Sequence, residues 1–247
     1  RATNPGYEKY DQALAAANKK DFTNASKLAT EAQQLLPREA RIPQLLGDIA
    51  LAEKRSADAV THYEKSLSLD NSYFGAYLGQ GIAQFRLGNK TKAEQLLARS
   101  NELLPNAPAA YFLGNIAKER GDAVGAMKLY QSAASSESEY GQLAMTEFQR
   151  MDLPQNPANY LSTGVQLNAS GRVQLRLQNR SALDVTAVTV TPFLLNAAGG
   201  ATQIGSTQTV SLQLQAGKIV AVDTPLGPMS ADQLERLRFR IDGVRIR

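Results

Sequence analysis

Apolar residues return every three to four positions in the first part of the chain and every second position in the last part. Up to Asp152 the sequence is rich in alanine and its apolar spacing predicts amphipathic helices. From Tyr160 onward, short runs such as Val173 to Leu177 alternate apolar and polar residues, which is typical of half-buried strands. We therefore predict a helical domain over 1–152, a linker over 153–159 and an all-β domain over 160–247.

A repeat of 34 residues organises the helical part. Pro37, Asn71 and Pro105 stand 34 positions apart, and each follows a similar helix end. A period of this length predicts stacked helix pairs. Small residues that would let two antiparallel helices approach closely recur in register, and bulk there would overpack the pair. They are Gly47, Gly81 and Gly114 on the first helices, and Ala25, Ala59, Ala93 and Ala126 on the second.

This pattern of Leu-Gly, Ala, then Tyr or Leu, then Pro resembles the tetratricopeptide repeat (TPR). The resemblance covers about residues 6–138 in four copies and implies an α-solenoid of about four helix pairs. Gly88 and Gly121 are expected to supply left-handed turns between paired helices. Glu139 to Asp152 is predicted to form a capping helix whose inward residues are Leu143, Phe148 and Met151.

Stacked helix pairs of this kind form a concave surface that binds an extended peptide or a partner's helix. In this surface Arg41, Arg86 and Lys118 are expected to meet a carboxylate. Leu78, Ile82 and Phe85 are expected to hold an apolar anchor; the alternative is that Ile82 and Phe85 belong to the core between repeats. The set of Lys and Asn that chaperone-tail clamps of this class need is not found at matching positions, which disfavours such a receptor. The predicted surface residues are Tyr7, Tyr10, Arg41, Gln44, Asp48, Leu78, Ile82, Phe85, Arg86, Tyr111, Asn115 and Lys118.

The last part of the chain predicts about seven short strands in a small antiparallel β-sandwich of an immunoglobulin-like type. A short helix capped by Ser230 is expected to interrupt the strands at Ser230 to Leu234. The aromatic residues Tyr160, Phe193 and Phe239 are predicted core residues.

The final predicted strand carries a basic face. It places Arg236, Arg238 and Arg240 on one side, and Arg245 and Arg247 continue after an expected turn at Asp242-Gly243. Such a stripe either attracts an acidic partner or is an ordinary solvated face. No aromatic residue of the strand is expected to interleave with the arginines on this face, so nucleic acid is not expected as a partner.

Composition excludes most catalytic chemistry within these residues. The 247 residues contain no Cys and one His, His62, so neither a thiolate site nor a paired-histidine zinc site is expected. No Gly-x-Ser-x-Gly motif is present, and we expect no metal and no cofactor. No apolar stretch is long enough for a membrane span. The net charge of +4 comes from residues 153–247, which hold 9 basic and 5 acidic residues.

Several phrases of the repeat region are similar to those of bacterial periplasmic zinc metalloproteases with TPR repeats, the BepA-like group. They include Pro5-Gly6-Tyr7-Glu8-Lys9-Tyr10 and Pro105-Asn106-Ala107-Pro108-Ala109-Ala110-Tyr111. In that group a His-Glu-x-x-His domain comes first, and the repeats recruit substrates or the outer-membrane assembly machinery. The β domain departs from the best-known members, and no catalytic residue can be carried over.

The resemblance implies a non-enzymatic binding module of a periplasmic protease, cut from a longer chain since the sequence begins at Arg1. Its partners would be a protein or peptide, either a protease substrate or the assembly machinery. The alternative is a self-standing TPR scaffold of envelope, pilus or secretion assembly. An enzyme active within these residues is the least favoured interpretation.

Overall fold

The structure, a computed structural model, describes residues 4–247. Contacts divide the chain into two compact units, Arg1–Ala144 and Met145–Arg247. This division falls within helix α9, whereas the prediction put the border after residue 152. The long helices of the described residues are α1 Pro5–Asn18, α2 Phe22–Leu35, α3 Arg41–Ala52, α4 Ser56–Leu69, α5 Phe74–Arg86, α6 Lys90–Leu103, α7 Ala107–Glu119, α8 Ala123–Ala134 and α9 Glu139–Asp152.

The first eight helices form four antiparallel pairs, and polar caps fix where several of them begin. The Asn4 side chain accepts a hydrogen bond from the Gly6 amide at 2.9 Å, and Asn106 accepts one from the Ala109 amide at 2.9 Å. Asp122 caps α8 in the same way. Such caps satisfy amide groups that the first turn leaves unpaired.

Glycine under a large residue sets the close contact within a pair. A Cβ placed on Gly47 would lie 2.7 Å from the Tyr63 ring. The same 2.7 Å separates an added Cβ from Leu97 at Gly81 and from Tyr130 at Gly114. The predicted alanines Ala25, Ala59, Ala93 and Ala126 are all fully buried. The small residues therefore lie where the sequence placed them, at helix-helix contacts.

Each helix pair turns through one residue with positive φ. Gly88 and Gly121 have φ values of 82° and 86°, as predicted. The two preceding turns use Lys20 and Lys54, with φ values of 60° and 63°. A lysine carries a Cβ that disfavours this conformation, so these two turns hold a strain that the glycine turns avoid.

Two buried serines connect the two helices of a pair. The Ser66 hydroxyl donates to the carbonyl oxygen of Ala40 at 2.8 Å, and the Ser100 hydroxyl donates to that of Phe74 at 3.0 Å. Ser66 belongs to α4 and Ser100 to α6, and the two carbonyl groups lie at the start of α3 and α5, the first helix of the same pair. The repeat thus includes polar contacts that its apolar pattern does not reveal.

Helix α9 and the predicted linker differ from expectation. Leu143 was predicted to face inward but is 40% exposed, while Gly141 and Ala144 are the buried residues of this helix. Leu153 is fully buried and Pro157 is buried, and the short 3-10 turn Pro157–Asn159 packs against the strands. Residues 153–159 therefore belong to the packed second unit.

The second unit contains two antiparallel sheets. One has the strand order β1-β2-β6; in the other, β3 pairs with β4, β5 and β7. A short helix, α10 Ala231–Arg236, precedes the last strand and has the predicted Ser230 cap, completed by Gln233. The strands are β1 Leu161–Leu167, β2 Val173–Asn179, β3 Val185–Leu195, β4 Ala201–Gln203, β5 Gln208–Leu214, β6 Ile219–Asp223 and β7 Leu237–Ile246.

Residues from both sheets form one apolar core. Leu175 and Leu177 of β2 are buried together with Val188 and Val190 of β3 and with Leu237 of β7. These positions alternate along each strand, as the period-two pattern predicts. The immunoglobulin-like sandwich stays a prediction.

The basic face of the last strand differs from its prediction. Arg236 ends helix α10 and pairs with Asp232 at 2.6 Å, so it is not a strand residue. Arg238 and Arg240 are exposed on β7. Asp242-Gly243 is not a turn, because β7 continues through it and the register with β3 shifts there. This irregularity adds one residue and so keeps Arg245 on the exposed side.

Phe193 was predicted to lie in the core but packs on the outside of its sheet. The Arg240 guanidinium lies over the Phe193 ring, 4.9 Å from its centroid. An aromatic residue therefore does interleave with the arginines, although it comes from the neighbouring strand β3. Arg240 also pairs with Asp242 at 2.5 Å, which leaves little free charge on this guanidinium.

Candidate partner-binding surface

The first helices of the four pairs form one continuous layer, which we call the inner layer: α1, α3, α5 and α7. Helix α1 packs against α3, α3 against α5, and α5 against α7. The second helices of successive pairs come less close to one another within the described residues. In a stack of hairpins, the layer with the tighter spacing lies on the inside of the curve. The predicted concave side therefore belongs to the first helices.

One end of the inner layer carries a cation held between two tyrosines. The Arg41 guanidinium lies 5.6 Å from the Tyr7 ring centroid and 5.4 Å from that of Tyr10. Its Nε and a terminal nitrogen donate to both carboxylate oxygens of Glu39, at 2.9 and 3.0 Å. The Tyr7 hydroxyl donates to the same carboxylate at 3.1 Å.

Arg41 is thus a neutralised cation, which differs from its expected role. The hydrogen bonds from Arg41, aided by that from Tyr7, lower the pKa of Glu39 to about 2, and they raise the pKa of Arg41. A bidentate pair of this kind is stronger than an ordinary hydrogen bond. Arg41 therefore holds the two tyrosine rings in place. It could receive a partner's carboxylate only by giving up its hydrogen bonds to Glu39.

Asp48 lies one helical turn beyond Gln44 on α3. The Tyr63 hydroxyl donates to Oδ1 of Asp48 at 2.7 Å, and the Gln44 amide lies 3.5 Å from Oδ2. Burial among protein atoms raises the pKa of Asp48 to about 6, although these two hydrogen bonds oppose the shift. The residue is nevertheless open to solvent. A carboxyl on the floor of a concave surface touches water and is still largely surrounded by protein atoms, which accounts for both observations.

The middle of the inner layer is apolar, and the structure divides the three predicted anchor residues. Ile82 is only 6% exposed and belongs to the core between α5, α6 and α7, so it cannot hold a partner's side chain. Leu78 and Phe85 pack on this core but remain half-open. The core alternative is therefore correct for Ile82.

Arg86 is the predicted cation that keeps its charge. It is exposed at the end of α5, and its guanidinium donates to the Leu51 carbonyl oxygen at 2.8 Å. Among the described residues, no carboxylate lies within ion-pair distance of it. Burial raises the pKa values of Tyr63 and Tyr140, and the positive charge of Arg86 acts against this rise.

Aromatic rings form a cluster at the other end of the inner layer. Phe85 meets Phe112 edge-on at 5.2 Å, and Tyr111 lies 5.7 Å from Tyr140 of α9. Tyr140 also lies 5.6 Å from Phe112. Phe85, Tyr111 and Tyr140 are half-open, so this end offers flat rings to a partner.

The last two predicted residues lie on α7. Asn115 accepts a hydrogen bond from the Tyr130 hydroxyl at 2.8 Å, so its side chain is already engaged. Lys118 is exposed at the C-terminal end of the helix. The binding role of the predicted surface residues stays a prediction.

Three residues of this surface were missed by the sequence interpretation. Glu39 precedes Arg41 by two positions, Tyr73 lies at the start of α5, and Tyr140 comes from the capping helix. Burial raises the pKa of the Tyr10 hydroxyl; Arg41 opposes this rise, and the carboxylates of Glu39 and Asp48 add to it. A carboxylate two positions before an inner-layer arginine was the available signal for Glu39. No sequence signal identifies Tyr140, because its helix lies outside the repeat.

Neither a metal-binding group of side chains nor a membrane-spanning helix is found in the described part of the chain. Over residues 4–247, no three His, Cys, Asp or Glu side chains are grouped so that they could hold a metal ion. None of the helices in the same residues combines the length and apolarity that crossing a bilayer requires.

Comparison with known proteins supports the fold. No protein-family model and no curated protein matches the chain. Among solved structures, the crystal structure of MamA protein is similar with a TM-score of 0.51 and 22% identity, over 60% of this chain and 81% of that one. The first TPR of Spaghetti (RPAP3), solved with an HSP90 peptide, has a TM-score of 0.47 and 21% identity, over 49% and 96%. The Arabidopsis OM64 TPR domain has 0.46 and 22%, over 47% and 96%.

At these identities the similarity concerns the fold alone. It supports the expected architecture of the helical unit, four stacked helix pairs that repeat about every 34 residues.

Proposed function

We propose that the helical unit binds an extended segment of a partner protein along the inner layer. The observation that carries this proposal is the spacing of the helices: first helices pack on one another while second helices diverge. A segment lying across α1, α3, α5 and α7 would contact every repeat at once. The peptide held by the RPAP3 repeat shows that this fold can bind such a segment, and it says nothing about the partner of this chain.

The side chains of the inner layer favour a segment with apolar or aromatic residues and at least one carboxylate. Half-open rings at Tyr10, Tyr73, Tyr111 and Tyr140 supply large, rigid contact area. Tyrosine and arginine carry a large share of the binding energy at protein interfaces. Arg86 is exposed at the end of α5 and forms no ion pair among the described residues, so a carboxylate of the segment is best received there.

The finer role rests on sequence resemblance. We infer that the unit is the substrate-recruiting or docking C-terminal region of a periplasmic zinc metalloprotease of the BepA-like group, in the bacterial envelope. A self-standing scaffold of envelope, pilus or secretion assembly is the second candidate, favoured by the β-rich second unit that the best-known proteases lack. The coding sequence upstream of Arg1 separates the two: a His-Glu-x-x-His helix supports the protease, and a lipoprotein leader alone supports the scaffold.

The binding proposal is tested with peptides selected on the intact chain. A random peptide library displayed on phage is selected against the protein, and the selected peptides are titrated by fluorescence anisotropy. Arg86→Glu is expected to weaken binding by about 10-fold or more, because it reverses the charge that would receive the carboxylate of the segment. Tyr73→Ala is expected to weaken it by a similar factor.

Arg99→Glu is the matched control. Arg99 lies on the second helix α6, is half-exposed and pairs with Glu102 at 3.2 Å, so its reversal changes charge away from the inner layer. Its affinity should stay within about twofold of the wild type. Equal losses in Arg86→Glu and Arg99→Glu, or no selected peptide that competes for the inner layer, would contradict the proposal. Far-ultraviolet circular dichroism checks that each variant keeps its helices.

A further inference from the structure

The second unit contains a cavity of about 280 Å³ between its two sheets. Leu175 and Val222 line it from one sheet, and Val190, Val210 and Phe239 line it from the other. Pro192, Ile204 and Leu226 add further apolar wall. Engineered cavities of about 150 Å³ hold a benzene ring, so this volume suits a molecule of about two fused rings.

The open side of the cavity lies between two sheet edges. Strand β5 pairs only with β3, and β6 pairs only with β2, among the described residues. On the opposite side β1 and β7 are linked, since the Thr163 hydroxyl donates to the Phe239 carbonyl oxygen at 3.1 Å. A ligand can therefore enter between β5 and β6 without breaking a pair of strands.

Two neighbouring core-facing positions on β5 are left incompletely packed. Val210 stands opposite the buried Val188, and Gln208 stands opposite the buried Val190, so both side chains share the core face. Val210 lines the cavity and is not part of the packed apolar core. Residues farther along the same face, Leu212 and Leu214, do pack in that core.

Gln208 is a polar residue at one of these core-facing positions. The residue is half-buried and lines the cavity, and its side-chain amide makes no hydrogen bond to any other residue of 4–247. Of the other polar residues that line the cavity, Asp223 accepts from Gln174 and Thr224 donates to the Val173 carbonyl oxygen, whereas the Gln208 amide is left to bond with a ligand. Ligand sites commonly combine apolar walls with a few such polar groups.

We propose that this cavity binds a small, flat, apolar molecule of about two fused rings that carries one hydrogen-bonding group, and that Gln208 receives that group. The rings lie between Val222, Val210 and Phe239, and the hydrogen-bonding group points toward β5. This site belongs to the second unit and is independent of the inner layer of the helical unit.

Indole is a suitable probe because it has two fused rings and a single N–H donor, and 1-methylindole has the same rings without the donor. The intact ¹⁵N-labelled protein is titrated with each probe and followed by nuclear magnetic resonance. Indole is expected to give saturable shifts at Val222, Leu226 and Phe239 with a Kd of about 1 mM or tighter. 1-Methylindole is expected to bind about fivefold more weakly.

Three variants decide the result. Gln208→Leu should weaken indole about fivefold and remove the difference between the two probes. Val210→Phe should fill the cavity and weaken both probes by more than about 10-fold. Ser211→Phe places the same ring on the exposed face of β5 and should leave both affinities unchanged. Shifts that do not saturate, or that persist in Val210→Phe as in wild type, would overturn the proposal, as would a probe preference unaffected by Gln208→Leu.

Discussion

The second and third helix pairs solve the same packing problem in two different ways. In both pairs a glycine of the first helix lies under a large residue sixteen positions later: Gly47 under Tyr63, and Gly81 under Leu97. The Tyr63 hydroxyl lies at this contact and donates a hydrogen bond to Asp48 at 2.7 Å. Leu97 has no hydroxyl, and the residue equivalent to Asp48 in the third pair is Ile82, which is buried.

The fourth pair repeats the solution of the second, with Tyr130 donating to Asn115 at 2.8 Å. A hydroxyl near the core needs an acceptor, and an unpaired acceptor near the core is equally costly, so the two positions are coupled. The difference between pairs also decides the inner layer, which is polar where the second helix carries tyrosine and apolar where it carries leucine.

The largest expected effect comes from replacing Tyr63 of the second pair by leucine, the residue found at this position of the third pair, while Asp48 is kept. Tyr63→Leu should lower the free energy of unfolding by about 2–3 kcal/mol, because it removes a buried ring and leaves Asp48 without its donor. The double variant Tyr63→Leu with Asp48→Ile should recover about 1 kcal/mol or more of that loss. Urea denaturation of all four proteins gives the coupling.

If the two substitutions add independently, Tyr63 and Asp48 are not coupled and the comparison between the pairs fails. The single variant Leu97→Val is a control for volume loss alone, since the Leu97 side chain makes no polar contact. Its cost should be about 1 kcal/mol and independent of any change at Asp48.

A smaller effect comes from making the second pair like the fourth with Asp48→Asn, which keeps an acceptor for Tyr63 and removes the charge. The pKa of Asp48 rises from 3.8 to about 6 on folding, so the folded state holds this proton more tightly than the unfolded state. Through this carboxyl, the free energy of unfolding must fall as the pH rises from about 4 to about 6, and it then stays constant.

Asp48→Asn should therefore be more stable than the wild type at pH 7, by on the order of 1 kcal/mol once solvent screening is allowed for. The stability difference between the two proteins should shrink as the pH falls toward 4. Thermal unfolding at a series of pH values measures it, and a carboxyl resonance titrating near pH 6 identifies the group. A difference that does not change with pH would show that the Asp48 charge is not desolvated.

The smallest expected effect concerns the turns of the first and second pairs, which use lysine where the third and fourth use glycine. Lys54→Gly should raise the free energy of unfolding by about 0.5–1 kcal/mol, because relief of the left-handed strain outweighs the entropy that glycine adds to the unfolded chain. Lys65→Gly, in the middle of α4, should lower it by about 1 kcal/mol. Chemical denaturation compares the two, and a loss of stability in Lys54→Gly would mean that the lysine conformation is not strained.

Much of the fold could be predicted, because it depends on spacing along the chain. The 34-residue register, the buried alanines and the glycine turns are all local in sequence or repeat at fixed intervals. The strand alternation and the Ser230 cap of α10 are local as well. Each of these features needs only a few neighbouring residues to be recognised.

The candidate surface could be predicted only in part, because its properties depend on partners in other elements. Arg41 was expected to be free, and its pairing with Glu39 becomes evident only where the chain enters α3. Ile82 has the spacing of a surface residue, and its burial depends on α6 and α7. Phe193 reads as a core residue, and its outward position depends on the register of β3 with β7.

The amino-acid sequence alone thus determined that helix pairs of one repeat length would stack and that a β-rich unit would follow, because periodicity is a property of the chain itself. The tertiary structure decided which charges on the inner layer survive, which apolar residues are buried and where the cavity between the sheets opens. Neutralisation, burial and packing defects depend on groups that approach through space, and the order of residues along the chain does not encode those distances directly.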